Sequence, residues 1–257
     1  MNDTESSQVR RISRGPVRPL LGIEWPLLLA AGAVTIGLEL GAYGLILACG
    51  GSRLGAVLAS LAVMVSWTAL SPAVLAAGGR SSLSALLRGV IVADASTVTL
   101  VVFWLATPAV TFLAAVKVYC TLAAMAIAAV AAVRCARSEF GRYALAVAVA
   151  AGLMAAVTTP FWVGGLLLAV NAPTRPVVAS LAVWLNPFYC ITAATVEKTH
   201  FIWHQAPVMY HVTRIGDYAA APPVLWYTSA AACAALAAIL TGANGLVSIR
   251  SRRTAKL

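Results

Sequence analysis

Long apolar runs separated by short polar, basic segments dominate this chain, and their lengths set its elements. A helix needs about 20 apolar residues to cross the hydrocarbon core of a bilayer. The first such run extends from about Trp25 to Cys49. The turn Gly50-Gly51-Ser52-Arg53 leads to a second, about Leu54 to Ala77, which ends at a polar, basic loop from Gly78 to Arg88. The next run, Gly89 to Val133, is too long for one crossing and is interrupted at Thr107-Pro108, where proline removes a helix hydrogen bond. It predicts two antiparallel helices meeting near Pro108 to Phe112. A loop carrying Arg134, Arg137 and Arg142 precedes a fifth run, about Tyr143 to Val170, and a last strong run covers about Pro223 to Val247. The pattern predicts an all-α polytopic membrane bundle. A basic segment 1–24 opens it, a transmembrane domain fills 25–249, and a basic tail 250–257 closes it.

The segment from Asn171 to Pro222 is ambiguous by hydropathy, because Val177 to Thr195 could be a seventh span. Charge decides. With seven spans the basic tail (Arg250, Arg252, Arg253, Lys256) would lie opposite the basic N-terminal segment (Arg10, Arg11, Arg14, Arg18). With six, both tails and the loops carrying Arg80, Arg88, Arg134, Arg137 and Arg142 share one side. The other side keeps Arg53, Lys117, Arg175, Lys198 and Arg214. The excess of Lys and Arg in cytoplasmic loops favours six spans with both termini cytoplasmic. Asn186-Pro187 inside the disputed stretch suits a broken helix, tolerated at membrane depth when packed against protein. Residues 171–222 are therefore expected to form a re-entrant or amphipathic outer element between spans five and six.

Composition agrees. Charged residues are 10% of the 257 positions and hydrophobic ones 61%, against roughly 25% charged in soluble domains. The net charge of +10 does not form a basic stripe with interleaved aromatics, so no nucleic-acid partner is expected. It flanks apolar segments, where anionic lipid headgroups act on it. The five cysteines have no paired spacing and imply neither a disulfide framework nor a zinc site. The alanine-rich, lysine-poor usage fits a bacterial chain, hence a cytoplasmic (inner) membrane location. Neither a Gly-rich phosphate loop ending in Lys-Ser/Thr nor a Gly-x-Ser-x-Gly elbow occurs, so no enzymatic activity is expected of the chain itself.

Three sets of residues could carry chemistry. Glu39 falls near the middle of the first span, where an ionised carboxylate is costly; it is expected to face the bundle interior or to be protonated. It serves either as a substrate or proton site, as in a proton-coupled secondary transporter, or as a buried carboxyl paired with a Ser, a Thr or Lys117. Asp94 is expected a turn or two inside the third span, near the cytoplasmic face and Arg88. Glu197, His200 and His204 share one helical face by their i, i+3, i+7 spacing. They could hold a zinc or copper ion, with His211 and Asp217 near, as in a metal-binding or redox subunit. The alternative is an amphipathic segment at headgroup level with Trp203.

The layout resembles the membrane (permease) subunit of ATP-binding-cassette exporters of the second transmembrane class. That family has six spans, cytoplasmic termini and a re-entrant outer element between the last two. It often carries a Leu-Asn-Pro-hydrophobic-x-aromatic motif there, which Leu185-Asn186-Pro187-Phe188-Tyr189 resembles with the aromatic one place early. Thr107-Pro108 followed by Lys117 is similar to a second family pattern, although Ser96-Thr97-Val98-Thr99 lacks the Gly and Glu that usually precede it. In the family the Thr-Pro region is a cytoplasmic coupling helix, whereas the hydropathy pattern makes it the outer end of a hairpin. The resemblance implies a transport subunit that binds no cofactor directly and works as a homodimer or with a related permease half. A separate cytoplasmic ATP-binding subunit would dock on the loop with Arg80, Arg88 and Asp94. Glu39 and Lys117 would lie on or near the path, and Asn186, Pro187 and Tyr189 in the element capping it.

Overall fold

The computed structural model describes residues 24–108, 110–159, 162, 165, 167, 169–196, 214–215, 218–219 and 225–254. Among them eight helices carry the fold: α1 (Trp25–Ala48), α2 (Arg53–Ala77), α3 (Ser82–Ala106), α4 (Phe112–Val133), α5 (Glu139–Val157), α6 (Arg175–Trp184), α7 (Pro187–Val196) and α8 (Tyr227–Thr254). A two-residue antiparallel ladder joins β1 (Arg214–Ile215) to β2 (Tyr218–Ala219). Six helices, α1 to α5 and α8, are long and apolar enough to cross a membrane.

Short polar residues set where these helices begin. Ser52, Ser81, Thr111 and Ser138 are extended N-caps whose hydroxyls accept from the backbone N–H three residues on, at Gly55, Ser84, Ala114 and Gly141. Each satisfies a donor that the first helical turn leaves free. Pro26 sits in the first turn of α1, where a missing N–H is harmless. Between α1 and α2 the chain reverses through Gly50 at φ +78°, a conformation that a Cβ would disfavour.

The core is built around α2 and α4. Val57, Leu61, Met64 and Val65 of α2 meet Leu100 and Phe103 of α3, Leu122 and Met125 of α4, and Ile191 of α7. α2 packs against α1, α3, α4, α5 and α7; α4 packs against α2, α3, α5, α7 and α8. Gly89 lets α3 and α4 close up, since a Cβ there would stand 2.2 Å from Val130 Cγ2. Outward faces stay apolar: Leu29 on α1, Leu105 on α3 and Ile239 on α8 are about 70% exposed (70%, 74% and 68%). Such a surface suits lipid rather than water.

The region 89–133 is two antiparallel helices, with Trp104 near the end of α3 stacked edge-on against Phe112 at the start of α4. Thr107 is the C-cap of α3 and Thr111 the N-cap of α4, so Thr107-Pro108 forms the hairpin turn and not a separate coupling helix. Three boundaries differ from the hydropathy reading. α3 begins at Ser82, ahead of Gly89, because Ser81 caps it. α5 ends at Val157, and Thr159, Trp162, Gly165, Leu167 and Ala169 beyond it are again helical, so the run to Val170 is broken after Val157. α8 continues to Thr254, through residues expected in the tail. Between α5 and α8, α6 and α7 meet at a 65° bend at Leu185-Asn186.

Candidate functional site

The bend between α6 and α7 is organised by one side chain. Asn186 is 1% exposed. Its Oδ1 accepts from the N–H groups of Phe188 (2.8 Å) and Tyr189 (3.4 Å), which makes it the N-cap of α7. Its Nδ2 donates to the carbonyls of Ala156 and Val157, both at 3.0 Å, at the end of α5. The Ala156 carbonyl is available because residue 160 is proline, which has no N–H to close the next helical bond. Thr159 Oγ1 also donates to it, at 2.7 Å. Asn186 thus joins the start of α7 to the end of α5. Pro187 follows in the first turn, where a proline fits, and Tyr189 is buried at 2% exposure. The end of α6 is held in turn by Thr228 at the start of α8, which donates to the Trp184 carbonyl at 2.5 Å. Three elements of the second half therefore converge on Leu185-Asn186-Pro187.

At one end of the bundle the basic residues converge. Arg88 on α3 pairs with Glu24 ahead of α1 at 2.9 Å. Arg142 on α5 donates to the Gly79 carbonyl at 2.8 Å, and Arg134 after α4 donates to Ser82 Oγ at 3.1 Å. Arg80 stands exposed at the tip of the α2–α3 turn. That turn and the start of α3 are held by the arginines of α5 and of the end of α4, and Arg88 ties α3 to the start of α1 through Glu24. The expected pairing of Arg88 with Asp94 is replaced by the pairing with Glu24.

Glu39 is fully buried and joins α1 to its neighbours. Its Oε1 accepts from Ser96 Oγ on α3 at 2.5 Å, and its backbone carbonyl accepts from Ser60 Oγ on α2 at 2.8 Å. Thr99, on the same face of α3, lies near the carboxyl, yet its Oγ1 and Glu39 Oε2 complete no hydrogen bond. One turn earlier, Thr35 Oγ1 accepts from Trp67 Nε1 of α2 at 3.0 Å. Leu28, Thr35 and Glu39 are the buried residues of α1. Two of these three are polar, so polar links hold this helix where hydrophobic driving force between helices is weak in lipid. Of the partners the sequence offered Glu39, a serine is the one found. Lys117 instead directs its ammonium to the Trp226 ring, 5.8 Å from the centroid, near the α3–α4 turn.

Asp94 does not lie near the basic end. It sits midway between Ser82 and Ala106, about 18 Å from each end of α3, on an exposed face. Tyr119 of α4 donates to its Oδ1 at 3.0 Å. Among the described residues no three of His, Cys, Asp and Glu lie close enough to share a metal ion. Glu197, His200, His204, His211 and Asp217 lie outside the described residues. Comparison with known protein families, curated proteins and solved structures finds no match for this chain.

Proposed function

We propose that this chain is the permease subunit of an ATP-driven exporter in a bacterial cytoplasmic membrane, paired with a second permease half and driven by a separate ATPase. The observation that carries the reading is the bent helix pair α6–α7 between the fifth and sixth long helices, turned at a buried Asn-Pro. An isolated polar residue buried at a helix break is costly unless every atom is used. Asn186 uses both ends of its amide to fix the angle of α7 against α5. In this reading α6–α7 is the re-entrant outer element capping the path.

The basic end supplies the coupling surface. Its arginines mark it as cytoplasmic by the positive-inside bias. Arg80 is the exposed contact, while Arg134 and Arg142 tie the α2–α3 turn and the start of α3 to α4 and α5, and Arg88 ties α3 to the start of α1. A force applied at Arg80 by a closing ATPase would reach α3, α4 and α5 together and tilt the bundle as a unit. Hydrolysis belongs to the partner, since this chain has no phosphate-binding loop. Asp94, expected beside this surface, drops out of it.

The test is co-expression with the flanking genes and purification through this chain. An ATPase subunit with a Gly-x-x-x-x-Gly-Lys-Ser/Thr loop is expected to copurify, and its ATP turnover to depend on this chain. Purification without any ATPase, with the bundle intact, would overturn the proposal.

A further inference from the structure

Glu39 is a carboxyl buried without a counter-charge. Ser96 and Thr99 of α3, beside it, are fully buried as well. The helices that pack along α1, α2 and α3, bring no cation to it. Arg53, the one basic residue of α2, stands exposed about 10 Å along the helix from Ser60, and Arg88, the one basic residue of α3, pairs with Glu24. Two oxygens here also lack partners: Glu39 Oε2 and Thr99 Oγ1 complete no hydrogen bond. Thr35, Thr121, Thr192, Thr195 and Thr241 each donate to the carbonyl one turn back, at 2.7–3.1 Å. Thr99 makes no such bond, and its hydroxyl stays beside the carboxyl. The compartment is closed along the helices on both sides. Thr35 and Trp67 join one turn towards the basic end. The Tyr43 and Phe103 rings, one turn on from Glu39 and Thr99, pack 5.1 Å apart on the other side.

We infer that Glu39, Ser96 and Thr99 form a binding site for a sodium ion between α1 and α3. A carboxylate in an apolar interior needs a compensating charge, which α2 and α3 do not supply. The donors select the ion. A carboxylate and two hydroxyls are all hard oxygens, which suit an alkali or alkaline-earth ion and not zinc or copper. One carboxylate balances one positive charge, whereas a divalent ion would leave the site cationic in apolar surroundings. The closed walls exclude organic cations, and the nearness of Thr99 to the carboxyl favours sodium over the larger potassium. Oε2 and Thr99 Oγ1 are the first two ligands. Ser96 Oγ is the third: its hydrogen can turn to the Val92 carbonyl, 3.0 Å away, which leaves a lone pair for the ion. A proton on Oε2 would need a hydrogen bond to Thr99, whose geometry is not met; an ion bridges oxygens held apart. The inference does not depend on coupling to an ATPase, because it concerns binding to this chain alone.

The experiment uses the full chain in lipid nanodiscs with radioactive sodium as probe, at fixed pH and with choline chloride holding the ionic strength constant. Saturable sodium binding is expected, displaced by unlabelled sodium and not by the same concentration of potassium. Glu39→Gln is expected to abolish it. Thr99→Val keeps the shape without the hydroxyl and is expected to weaken binding at least about tenfold, equal to 1.4 kcal/mol. Thr99→Ser restores the oxygen and is expected to bind within about threefold of the native chain. The threonine pair decides the matter even where Glu39→Gln misfolds, because a merely structural role of Thr99 would not make sodium affinity follow the hydroxyl. Three results would each overturn the inference: no saturable binding to the native chain, which would leave a proton to neutralise the carboxyl; displacement by potassium as effective as by sodium; or equal binding by the native, Glu39→Gln and Thr99→Val proteins.

Discussion

Replacing Asn186 separates the two jobs of its amide. Asn186→Ala removes the N-cap of α7, which costs about 1 kcal/mol at a typical helix start. It also removes two donors to the end of α5, each about 0.6 kcal/mol by the average for hydrogen bonds between membrane helices. The sum is about 2 kcal/mol. Asn186→Ser keeps a capping oxygen and loses the reach to α5, so about half of that loss is expected. Asn186→Asp is the decisive variant. Aspartate caps helices as well as asparagine does, but here its second oxygen would face the Ala156 and Val157 carbonyls, acceptor against acceptor. It is expected to be at least as destabilising as alanine. Detergent-induced unfolding of the purified protein, followed by helical circular dichroism, measures the series. If Asn186→Asp were within about 0.5 kcal/mol of the native protein, the amide would be acting as a cap alone, and the link to α5 would be refuted.

Other expectations follow from the remaining contacts. Glu39→Gln keeps a carbonyl to accept from Ser96 and is expected to unfold within about 1 kcal/mol of the native protein, with Glu39→Ala losing about 1–2 kcal/mol more in the same assay. Loss of transport in a well-folded Glu39→Gln protein would instead favour a proton-coupled role. Arg142→Ala frees the Gly79 carbonyl from a charged donor; a loss of about 1.5–3 kcal/mol and faster proteolysis at the 78–82 turn are expected, and unchanged proteolysis would show the clamp to be unimportant. The sidedness of the bundle is open to direct labelling. Cys49 is exposed at the α1–α2 turn, and a membrane-impermeant maleimide is expected to modify it in intact cells, whereas Ser81→Cys reacts only after permeabilisation. The reverse pattern would invert the topology.

The six long helices were legible because apolar runs and polar caps coincide. Ser52 and Thr111 stand directly before runs that hydropathy already marks. Ser81 stands eight residues before Gly89, where the hydropathy reading began its run, and that gap displaced Asp94. Measured from the cap, Asp94 falls at the helix midpoint; measured from Gly89, it falls near an end. The cap signal was present in Ser81-Ser82 and outweighs Arg88, whose guanidinium finds Glu24. The early end of α5 was also readable, since Thr158-Thr159-Pro160 combines hydroxyls that bond back to the preceding turn with a residue lacking an N–H. It was obscured because the run stays apolar to Val170. The break at Asn186-Pro187 was legible; what the amide bonds to was not. Its partners, like Ser96 for Glu39, Glu24 for Arg88 and Gly79 for Arg142, depend on the register between helices far apart in sequence. One chain's periodicity does not carry that register.

The permease reading makes Arg80 the exposed point of contact with an ATPase at the basic end of the bundle. A photo-crosslinking amino acid placed at Arg80, in cells expressing the flanking genes, tests this directly. The account predicts a crosslink to a polypeptide carrying the phosphate-binding loop, and none from the same group placed at Gly51 at the opposite end. A crosslink from position 51 in place of position 80, or to no ATPase from either, would contradict it.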